Sequence, residues 1–370
     1  MSAPSIPNLN TLRSGRGGTR LRGTRRGGAS SSGNEPHEQD ATSSKDKIVQ
    51  QTDNDALSSR LSAVSLGYFA DRDPFTRDLL APGEQIARRY PIINLGTYVR
   101  TVAIDRLVSC FVDSQPKGRK QIISLGAGSD TRFWRLTADR SNLDLIYHEL
   151  DFPSNVKQKQ DAIARSDRLR EGLDLAKQRN ADYRLHNLDL RTLASEPQPG
   201  IPDLENGTPT LLLSECCLCY LPPEIATKVL QVFSDIVSSQ LCLVVYEPIR
   251  PFDPFGRTMV SNLGSRGIQM QTLKRYSSLA AQRQRLRHAG FTEGQGARDV
   301  WQIWEDREWV SQQERERVEK LEWIDEVEEW KLLASHYCVA WGWRGDALID
   351  AFGGVEGGMT STEARQDDLG

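Results

Sequence analysis

Short apolar runs alternate with helical stretches through the middle of the chain. These runs lie at 121–125, 145–150, 183–185, 210–214 and 241–246. Most of them are separated by segments of helical periodicity, including 156–179 and 223–238. Alternating apolar strands and helices predict a parallel sheet that is covered on both faces. Because the crossovers are right-handed, the loop after the first strand should lie at the carboxyl edge, where open α/β sheets bind ligands.

The pattern differs on both sides of this region. Residues 55–112 are helical in pattern and poor in strands, with apolar residues at helical spacing over 97–111. Towards the other end, 311–335 predicts one long charged helix. Residues 337–341 predict a closing strand, because they are rich in aromatic and branched side chains. We therefore expect a strand-free layer ahead of the sheet and a final strand after a helix.

Composition sets the expected boundaries of the folded region. Residues 1–54 are poor in large apolar side chains and rich in Gly, Ser and Arg. We predict a disordered tail there, because such a segment cannot offset the entropy cost of ordering its backbone. Residues 353–370 are Gly-rich and polar, and are also predicted to be disordered. The predicted domain is 55–352, with a helical lid at 55–115 and a Rossmann-like core at 116–345.

The predicted tail carries a basic motif. Residues 11–28 contain two RGG triplets, and no acidic residue precedes Glu35. An RNA-contacting or arginine-methylated arm and a mitochondrial presequence are both compatible with this motif. We favour a solvated and dispensable tail, because its glycines and scarce apolar residues disfavour an amphipathic helix.

Charge and cysteine usage narrow the class of protein. The 370-residue chain has a net charge of −3, and omitting the eight basic and five acidic residues of 1–54 leaves −6 for the rest. An acidic folded region is a poor nucleic-acid surface. No apolar run approaches the ~20 residues that cross a bilayer, and no secretory signal is visible. The six cysteines lie in or beside apolar stretches, which suits reduced thiols. We expect a cytoplasmic monomer without a membrane or nucleic-acid partner.

A glycine loop follows the first predicted strand, with the sequence LGAGSDTR at 125–132. Two glycines in a G-x-G pattern let the backbone approach a ligand closely. Thr131 occupies the place of the third glycine of the dinucleotide fingerprint. This difference disfavours a nicotinamide oxidoreductase.

Three acids follow successive predicted strands. Asp151 comes 23 positions after Gly128, near the spacing expected of a carboxylate that binds ribose hydroxyls. Asp189 is placed to accept a hydrogen bond from an adenine amine, and Glu215 ends the next strand. Each acid alone is also compatible with a strand end or a turn. Together with the glycine loop they predict one ligand site.

Several motifs resemble the leucine carboxyl methyltransferase family in order and spacing over 57–345. They read LSAVSLGYFADRDPF, PIINLGTYVRT, SLGAGSDTRFWRL, ELDFP, NLDLR, TLLLSECCLCYLPPE and HYCVAWGW. The resemblance implies an α/β fold of class I S-adenosyl-L-methionine-dependent methyltransferases. Such a fold has a Rossmann-like seven-stranded sheet whose last strand is antiparallel, here with an N-terminal helical lid.

The same resemblance implies roles in binding S-adenosyl-L-methionine. Arg100 is expected to pair with the methionyl carboxylate of the cofactor, and Gly126 to pass beneath its methionyl part. Asp151 would hold the ribose hydroxyls. Asp189 and Leu190 would frame the adenine.

Three further residues take their expected roles from the family. Glu215 would lie near the cofactor's amino group or sulfonium. Arg60 stands where the family commonly has Lys, which keeps the cation. Tyr220 is a candidate for orienting the acceptor carboxylate.

The implied reaction is methyl transfer to the α-carboxylate of the C-terminal leucine of the protein phosphatase 2A catalytic subunit. A C-terminal carboxylate has a pKa of about 3.3–3.7, so it arrives ionised and needs no general base. The five histidines form neither a Ser-His-Asp nor a metal arrangement, and no metal is expected. Two alternatives stay open: an O-methyltransferase acting on a small carboxylic acid, and a non-catalytic cofactor-binding scaffold. The family's tRNA-modifying branch carries a C-terminal propeller, of which no repeat is visible here.

Overall fold

The structure is a computed structural model that describes residues 38–114, 118–195, 199–237 and 240–355. Most of the predicted tail (1–37) and most of the predicted disordered C-terminus (356–370) lie outside the described residues. No helix in the described part of the chain combines the length and apolar character needed to cross a bilayer.

A seven-stranded sheet forms the centre of the fold. Its strands are β1 (Lys120–Leu125), β2 (Leu145–Asp151), β3 (Ala181–Asn187), β4 (Thr210–Glu215), β5 (Leu241–Pro248), β6 (Gly294–Asp299) and β7 (Tyr337–Arg344). Their order is β3-β2-β1-β4-β5-β7-β6. Strands β1 to β5 are parallel, and β7 runs antiparallel to both of its neighbours. The predicted parallel sheet and its closing strand are confirmed.

Burial explains which strands the apolar pattern could identify. All residues of β1, β2 and β5 are buried, because helices cover both faces of the sheet. Two hydrophobic cores result, one on each face. In contrast, β6 lies at the sheet edge and reads GQGARD, so its sequence gives no strand signal. A Cβ on Gly296 would lie 2.2 Å from the indole of Trp341, which explains a glycine at this point of the strand.

Helices surround the sheet. In the described part of the chain they are α1 (Glu38–Ser65), α2 (Pro91–Asp113), α3 (Arg132–Asp139), α4 (Pro153–Arg165), α5 (Asp167–Gln178), α6 (Pro223–Ile236), α7 (Pro254–Ser265), α8 (Leu279–His288), α9 (Val300–Glu305), α10 (Gln312–Glu319), α11 (Val327–Ser335) and α12 (Ile349–Phe352). The predicted helices at 97–111 and 223–238 correspond to α2 and α6.

Two predicted long helices are each broken into two. The helix predicted at 156–179 is interrupted at Ser166, whose side chain accepts a hydrogen bond from the N–H of Leu169 and caps α5. The helix predicted at 311–335 is interrupted between α10 and α11. Glu322 lies in this break, and its buried carboxylate accepts hydrogen bonds from Tyr68 and Asn94. Satisfying a buried carboxylate takes precedence there over continuing the helix.

The N-terminal boundary of the fold differs from the prediction. Residues 38–54, assigned to the disordered tail, form the first part of α1. The apolar Ile48 and Val49 of this part are only half-buried and belong to neither hydrophobic core. Instead Asp46 and Asp53 make ion pairs and hydrogen bonds with residues at the carboxyl edge of the sheet. At the other end, Val355 is buried, so packing continues beyond the predicted boundary at 353. The division into lid and core stays a prediction.

Candidate active site

A cavity of about 570 Å³ lies at the carboxyl ends of the parallel strands, between α1, α2 and α11. All eight residues predicted from the sequence line this cavity: Arg60, Arg100, Gly126, Asp151, Asp189, Leu190, Glu215 and Tyr220. The strand-end argument brings Asp151, Asp189 and Glu215 to this edge, whereas Arg60 and Arg100, which the resemblance implied, reach the cavity from α1 and α2. The individual roles of all eight residues stay predictions.

Neighbouring side chains pack tightly against the glycine loop that follows β1. Gly126 has φ +64°, and a Cβ there would lie 2.6 Å from the Cys217 sulfur. Gly128 has φ +48°, and a Cβ there would lie 2.2 Å from an oxygen of Asp53. Both positions need glycine for backbone conformation and for space. The loop is thus held between β4 and α1.

Asp151 is fixed at the end of β2 by three donors. Its Oδ2 accepts from the N–H of Gly128 (2.6 Å), and its Oδ1 accepts from the N–H of Phe152 (2.7 Å) and from Asn155 Nδ2 (3.0 Å). Burial raises the pKa of Asp151, and the amides of Gly128 and Phe152 partly oppose that rise. The geometry provides a preoriented acceptor beside the glycine loop.

Asp189 and Leu190 lie at the end of β3. Asp189 caps the 3-10 turn Leu190–Ala194 by accepting from the N–H of Arg191 (3.0 Å), while Leu190 is buried. The N–H of Leu188 donates to the carbonyl of Asp151 (2.9 Å), which ties this turn to the end of β2. An acid and an apolar side chain therefore stand together at one end of the cavity.

Glu215 lies between two guanidinium groups at the end of β4. Its carboxylate is 2.8 Å from Arg132 Nη1 and 3.4 Å from Arg100 Nε. Arg132 is almost completely buried and also pairs with Asp105 and Asp130. Burial lowers the pKa of Arg132, but its acidic neighbours, Asp130 first, outweigh burial and raise it well above its ordinary value. The carboxylate of Glu215 is held in place by this network.

Sequence reasoning missed Arg132, although it stands in the quoted motif at the start of α3. The signal available was a cation directly after the glycine loop. Its partner Asp105 lies 27 residues earlier, on α2, and no local pattern connects the two.

Arg100 lines the site and has a buried donor without a hydrogen-bond partner among the described residues. The 3.4 Å approach of its Nε to Glu215 lacks hydrogen-bond geometry, and this buried N–H has no acceptor among the described residues. The guanidinium carbon lies 5.1 Å from the centre of the Tyr246 ring. Burial lowers the pKa of Arg100, but Glu215 and Tyr246 raise it overall. A half-buried cation with one unused donor suits an anionic ligand.

Arg60 is occupied by the protein itself. Its Nε donates to Asp73 (2.8 Å), its Nη1 donates to Thr101, and its guanidinium lies over the Phe69 ring at 4.0 Å. Burial, with the nearby Arg135, lowers the pKa of Arg60. The structure thus brings Arg60 to the cavity wall but directs it to Asp73, and its expected cofactor contact stays a prediction.

Tyrosines line the other end of the cavity. Burial raises the pKa of Tyr220 well above its ordinary value, partly opposed by a hydrogen bond with the Thr52 side chain, so the phenol is neutral. The rings of Tyr246 and Tyr337 stack at 5.6 Å, and burial raises both of their pKa values. Trp330 and Leu333 of α11 continue this wall. The result is an apolar surface next to Arg100.

The turn after β4 is strained at the site. Cys216 has φ +48°, a conformation uncommon for a residue with a side chain, and its N–H donates to the carbonyl of Tyr246 (2.8 Å). Cys216 and Cys217 are half-buried and line the cavity, whereas Cys219 is buried. Among the described residues no group of three potential metal ligands forms.

Fold and site together define a class of protein. A sheet of order β3-β2-β1-β4-β5-β7-β6 with β7 antiparallel, a glycine loop after β1 and an acid after β2 define a class I S-adenosyl-L-methionine-dependent methyltransferase. The donor set fits that cofactor: an unused buried N–H at Arg100 suits its carboxylate, and acceptors at Asp151 and Asp189 suit its hydroxyls and amine.

Comparison with known proteins identifies the family. Residues 38–234 match the model of the family described as leucine carboxyl methyltransferase. The chain is 51% identical to leucine carboxyl methyltransferase 1 of Emericella nidulans, over 96% of this chain and 99% of that protein. It is 50% identical to the protein of the same name from Aspergillus fumigatus, over 95% and 96%. The chain belongs to the leucine carboxyl methyltransferase family and is a methyltransferase that uses S-adenosyl-L-methionine.

The chain is also similar to solved structures of methyltransferases. The plantazolicin methyltransferase BamL has a TM-score of 0.42 and 8% sequence identity, over 80% of this chain and 98% of that chain. A similarity at this level supports no inference about the site.

Proposed function

We propose that this protein methylates the α-carboxylate of the C-terminal leucine of the protein phosphatase 2A catalytic subunit, forming a methyl ester. We propose further that it does so as a cytoplasmic monomer. The main support is one cavity that joins the glycine loop and Asp151 to the apolar wall around Trp330. Family membership, with relatives named for leucine carboxyl methylation, supports the choice of acceptor.

The cofactor roles follow from the unused hydrogen-bonding capacity. Arg100 would bind the methionyl carboxylate through its free N–H, and Gly126 would lie beneath the methionyl part. Asp151 would accept from the ribose hydroxyls, while Asp189 and Leu190 would bind the adenine. When bound, the cofactor supplies a methyl group already activated on a sulfonium.

Glu215 would then face the cofactor's cationic end. Two guanidinium groups contact the carboxylate of Glu215 and hold it in place. A fixed anion near an ammonium or a sulfonium stabilises that charge without moving during the reaction.

The protein's contribution to the chemistry is positioning. The acceptor carboxylate is ionised at neutral pH, since its pKa is about 3.3–3.7, so no side chain has to remove a proton. This agrees with neutral tyrosines at the acceptor end of the cavity. Tyr220 would donate its hydroxyl to the carboxylate and aim one oxygen along the line of displacement.

An apolar wall would receive the leucine side chain. Ile92 of α2 and Trp330, Leu333 and Ala334 of α11 line this part of the cavity. Removing water from the acceptor carboxylate makes it more nucleophilic, and an apolar wall does this better than a polar one.

Transfer of radiolabelled methyl groups tests the proposal. We expect base-labile label on the phosphatase 2A catalytic subunit, and none on a subunit that lacks its terminal leucine. The variant Asp151→Asn should label about 10-fold to 100-fold more slowly at limiting cofactor, because it loses a charged acceptor. The exposed Asp174→Asn on α5 is the matched control. Absence of label despite tight binding of S-adenosylhomocysteine would instead point to a small carboxylic acid as the acceptor.

A further inference from the structure

Arg191 lies between two carboxylates at the cavity. On one side, its Nη1 and Nη2 donate to the two oxygens of Asp46, at 2.9 and 2.7 Å. On the other side, its Nε lies 3.0 Å from both oxygens of Asp189, and its Nη2 lies 2.6 Å from Oδ2. Asp189 ends β3, whereas Asp46 belongs to α1, 145 residues earlier in the chain. The guanidinium thus connects the first helix to the proposed adenine end.

The donors from Arg191 leave Asp189 with limited freedom. An ionised carboxylate has about four acceptor positions. The backbone N–H, Nε and Nη2 of Arg191 occupy three of them. About one position remains, and Asp189 lines the cavity. The number matches a ligand that presents a single N–H.

Arg191 is itself fixed from several directions. Its guanidinium lies 5.7 Å from the centre of the Phe152 ring. Hydrogen bonds to Asp189 and Asp46 raise the pKa of Arg191, so its guanidinium is charged at neutral pH. Without Asp46, two of its N–H groups would lose their acceptor and the side chain would be free to turn towards solvent.

An ion pair on a protein surface usually contributes little to stability. The network around Arg191 differs from such a pair in burial and in geometry. The three side chains are only partly exposed, at 24% for Asp46, 32% for Arg191 and 28% for Asp189. Arg191 contacts both oxygens of Asp46 and both oxygens of Asp189, and such paired contacts fix the orientation of its guanidinium as single contacts would not. All three residues also line the cavity. A role in positioning a ligand therefore explains more of the geometry than surface stabilisation does.

We propose that Asp46 and Arg191 are positioning residues for the adenine of the cofactor. Asp46 holds Arg191, and Arg191 turns the remaining acceptor position of Asp189 towards the exocyclic amine. This inference rests on the proposed assignment of Asp189 to the adenine. It makes the first part of α1 a component of the adenine subsite.

The test compares two ligands that differ at one group. S-adenosylhomocysteine carries the exocyclic amine, whereas S-nebularylhomocysteine has a hydrogen atom in its place, keeps the ring nitrogens as acceptors and cannot donate. Calorimetry with the full chain should give Asp46→Asn an affinity for S-adenosylhomocysteine that is about fivefold weaker. Its affinity for S-nebularylhomocysteine should change by less than about twofold, since that ligand makes no use of the acceptor.

Three further variants make the result specific. Arg191→Lys should behave like Asp46→Asn, because Lys keeps the charge but cannot contact both carboxylates with a planar fork. Asp46→Glu should restore most of the preference for the amine. Asp161→Asn, which removes an exposed partner of Lys157 on α4, should leave both affinities unchanged.

Two outcomes would overturn the inference. Equal weakening of both ligands in Asp46→Asn would mean that α1 serves only the fold, and thermal melting without ligand would reveal such a loss. No change for either ligand would mean that Asp46 does not act on Asp189. The variant Asp189→Asn separates this failure from a failure of the proposed function: if it keeps the preference for the amine, the assignment of Asp189 to the adenine is wrong.

Discussion

At the carboxyl edge of the sheet, backbone conformation restricts which residue type a position can have as much as side-chain chemistry does. Gly126 and Gly128 adopt the left-handed region, and each has a side chain packed where a Cβ would stand. Cys216 adopts the same region despite its side chain. Strain of this kind, about 1–3 kcal/mol, persists only where the surroundings enforce it. Here α1, β4 and β5 enforce it around one cavity.

The substitution Gly128→Ala tests the packing between the glycine loop and α1. Its Cβ would lie 2.2 Å from Asp53, whose carboxylate accepts from the N–H and hydroxyl of Ser129. We expect Asp53 to be displaced and the affinity for S-adenosylhomocysteine to fall at least tenfold. Calorimetry measures the affinity, and denaturant unfolding should give a loss of about 1–3 kcal/mol.

Gly264→Ala is the matched control, because its Cβ would meet no atom within 4 Å and its backbone is helical, within α7. It should leave cofactor affinity unchanged and stabilise the protein by about 0.4–1 kcal/mol. If Gly128→Ala bound as tightly as the unmodified protein, the described contact between Asp53 and the loop would not exist in solution.

The sequence could predict residues that follow strands, and not residues whose partners are remote. Asp151, Asp189 and Glu215 each follow an apolar run, so the topology alone brings them to one edge. Arg132 depends on Asp105 of α2, and Arg191 depends on Asp46 of α1. Such pairs are tertiary and leave no local periodicity. One signal was present for α1, since Asp46 and Asp53 are seven residues apart and therefore share a helix face.

Among the elements, α1 differs most from its prediction. Strands β1, β2, β4 and β5 are buried on both faces and read as continuous apolar runs, which is why the sequence identifies them. The first part of α1 buries little apolar surface, and composition alone therefore predicts disorder. Polar contacts with Arg191, Ser129 and Ser154 stabilise it instead.

Truncation tests the role of this element. A chain that starts at residue 55 lacks Asp46, Gln50 and Asp53 and should bind S-adenosylhomocysteine at least tenfold more weakly than a chain that starts at Glu38, in which α1 is complete. Calorimetry on both chains measures the difference. Circular dichroism of the shorter chain should still report the sheet and remaining helices.

Equal affinities in the two truncated chains would mean that residues 38–54 do not contribute to cofactor binding, as the predicted boundary at 54 implies. They would also remove the basis for assigning α1 to the adenine subsite.

The whole molecule contains buried charge that should affect its stability. Glu149 of β2 is fully buried, bonded to Lys159 and to Tyr183. Burial raises its pKa from 4.5 to about 7, and Lys159 and Tyr183 reduce that rise. The folded state therefore binds this proton more tightly than the unfolded state does. Between about pH 4.5 and pH 7 this group makes the folded state less stable as pH rises.

We expect the loss from this group to be on the order of 3 kcal/mol across that interval. The double variant Glu149→Gln, Lys159→Met removes the titrating acid without leaving an unpaired lysine. Denaturant unfolding between pH 4.5 and pH 7.5 should give it a shallower decline in stability than the unmodified protein. Glu319→Gln, an exposed change on α10, should keep the original decline. Parallel curves for the double variant and the unmodified protein would mean that Glu149 does not carry this proton.

The contacts that join α1 to the edge of the sheet have a consequence for the conditions in which the protein works. One of them, between Asp46 and Arg191, joins two charged side chains that are about a quarter to a third exposed to solvent. Dissolved ions screen such pairs, and the screening length falls from about 30 Å to about 8 Å between 0.01 M and 0.15 M salt. The apolar wall at the acceptor end has no comparable sensitivity. The affinity for the cofactor should therefore fall as ionic strength rises, while the preference for a leucine side chain stays constant.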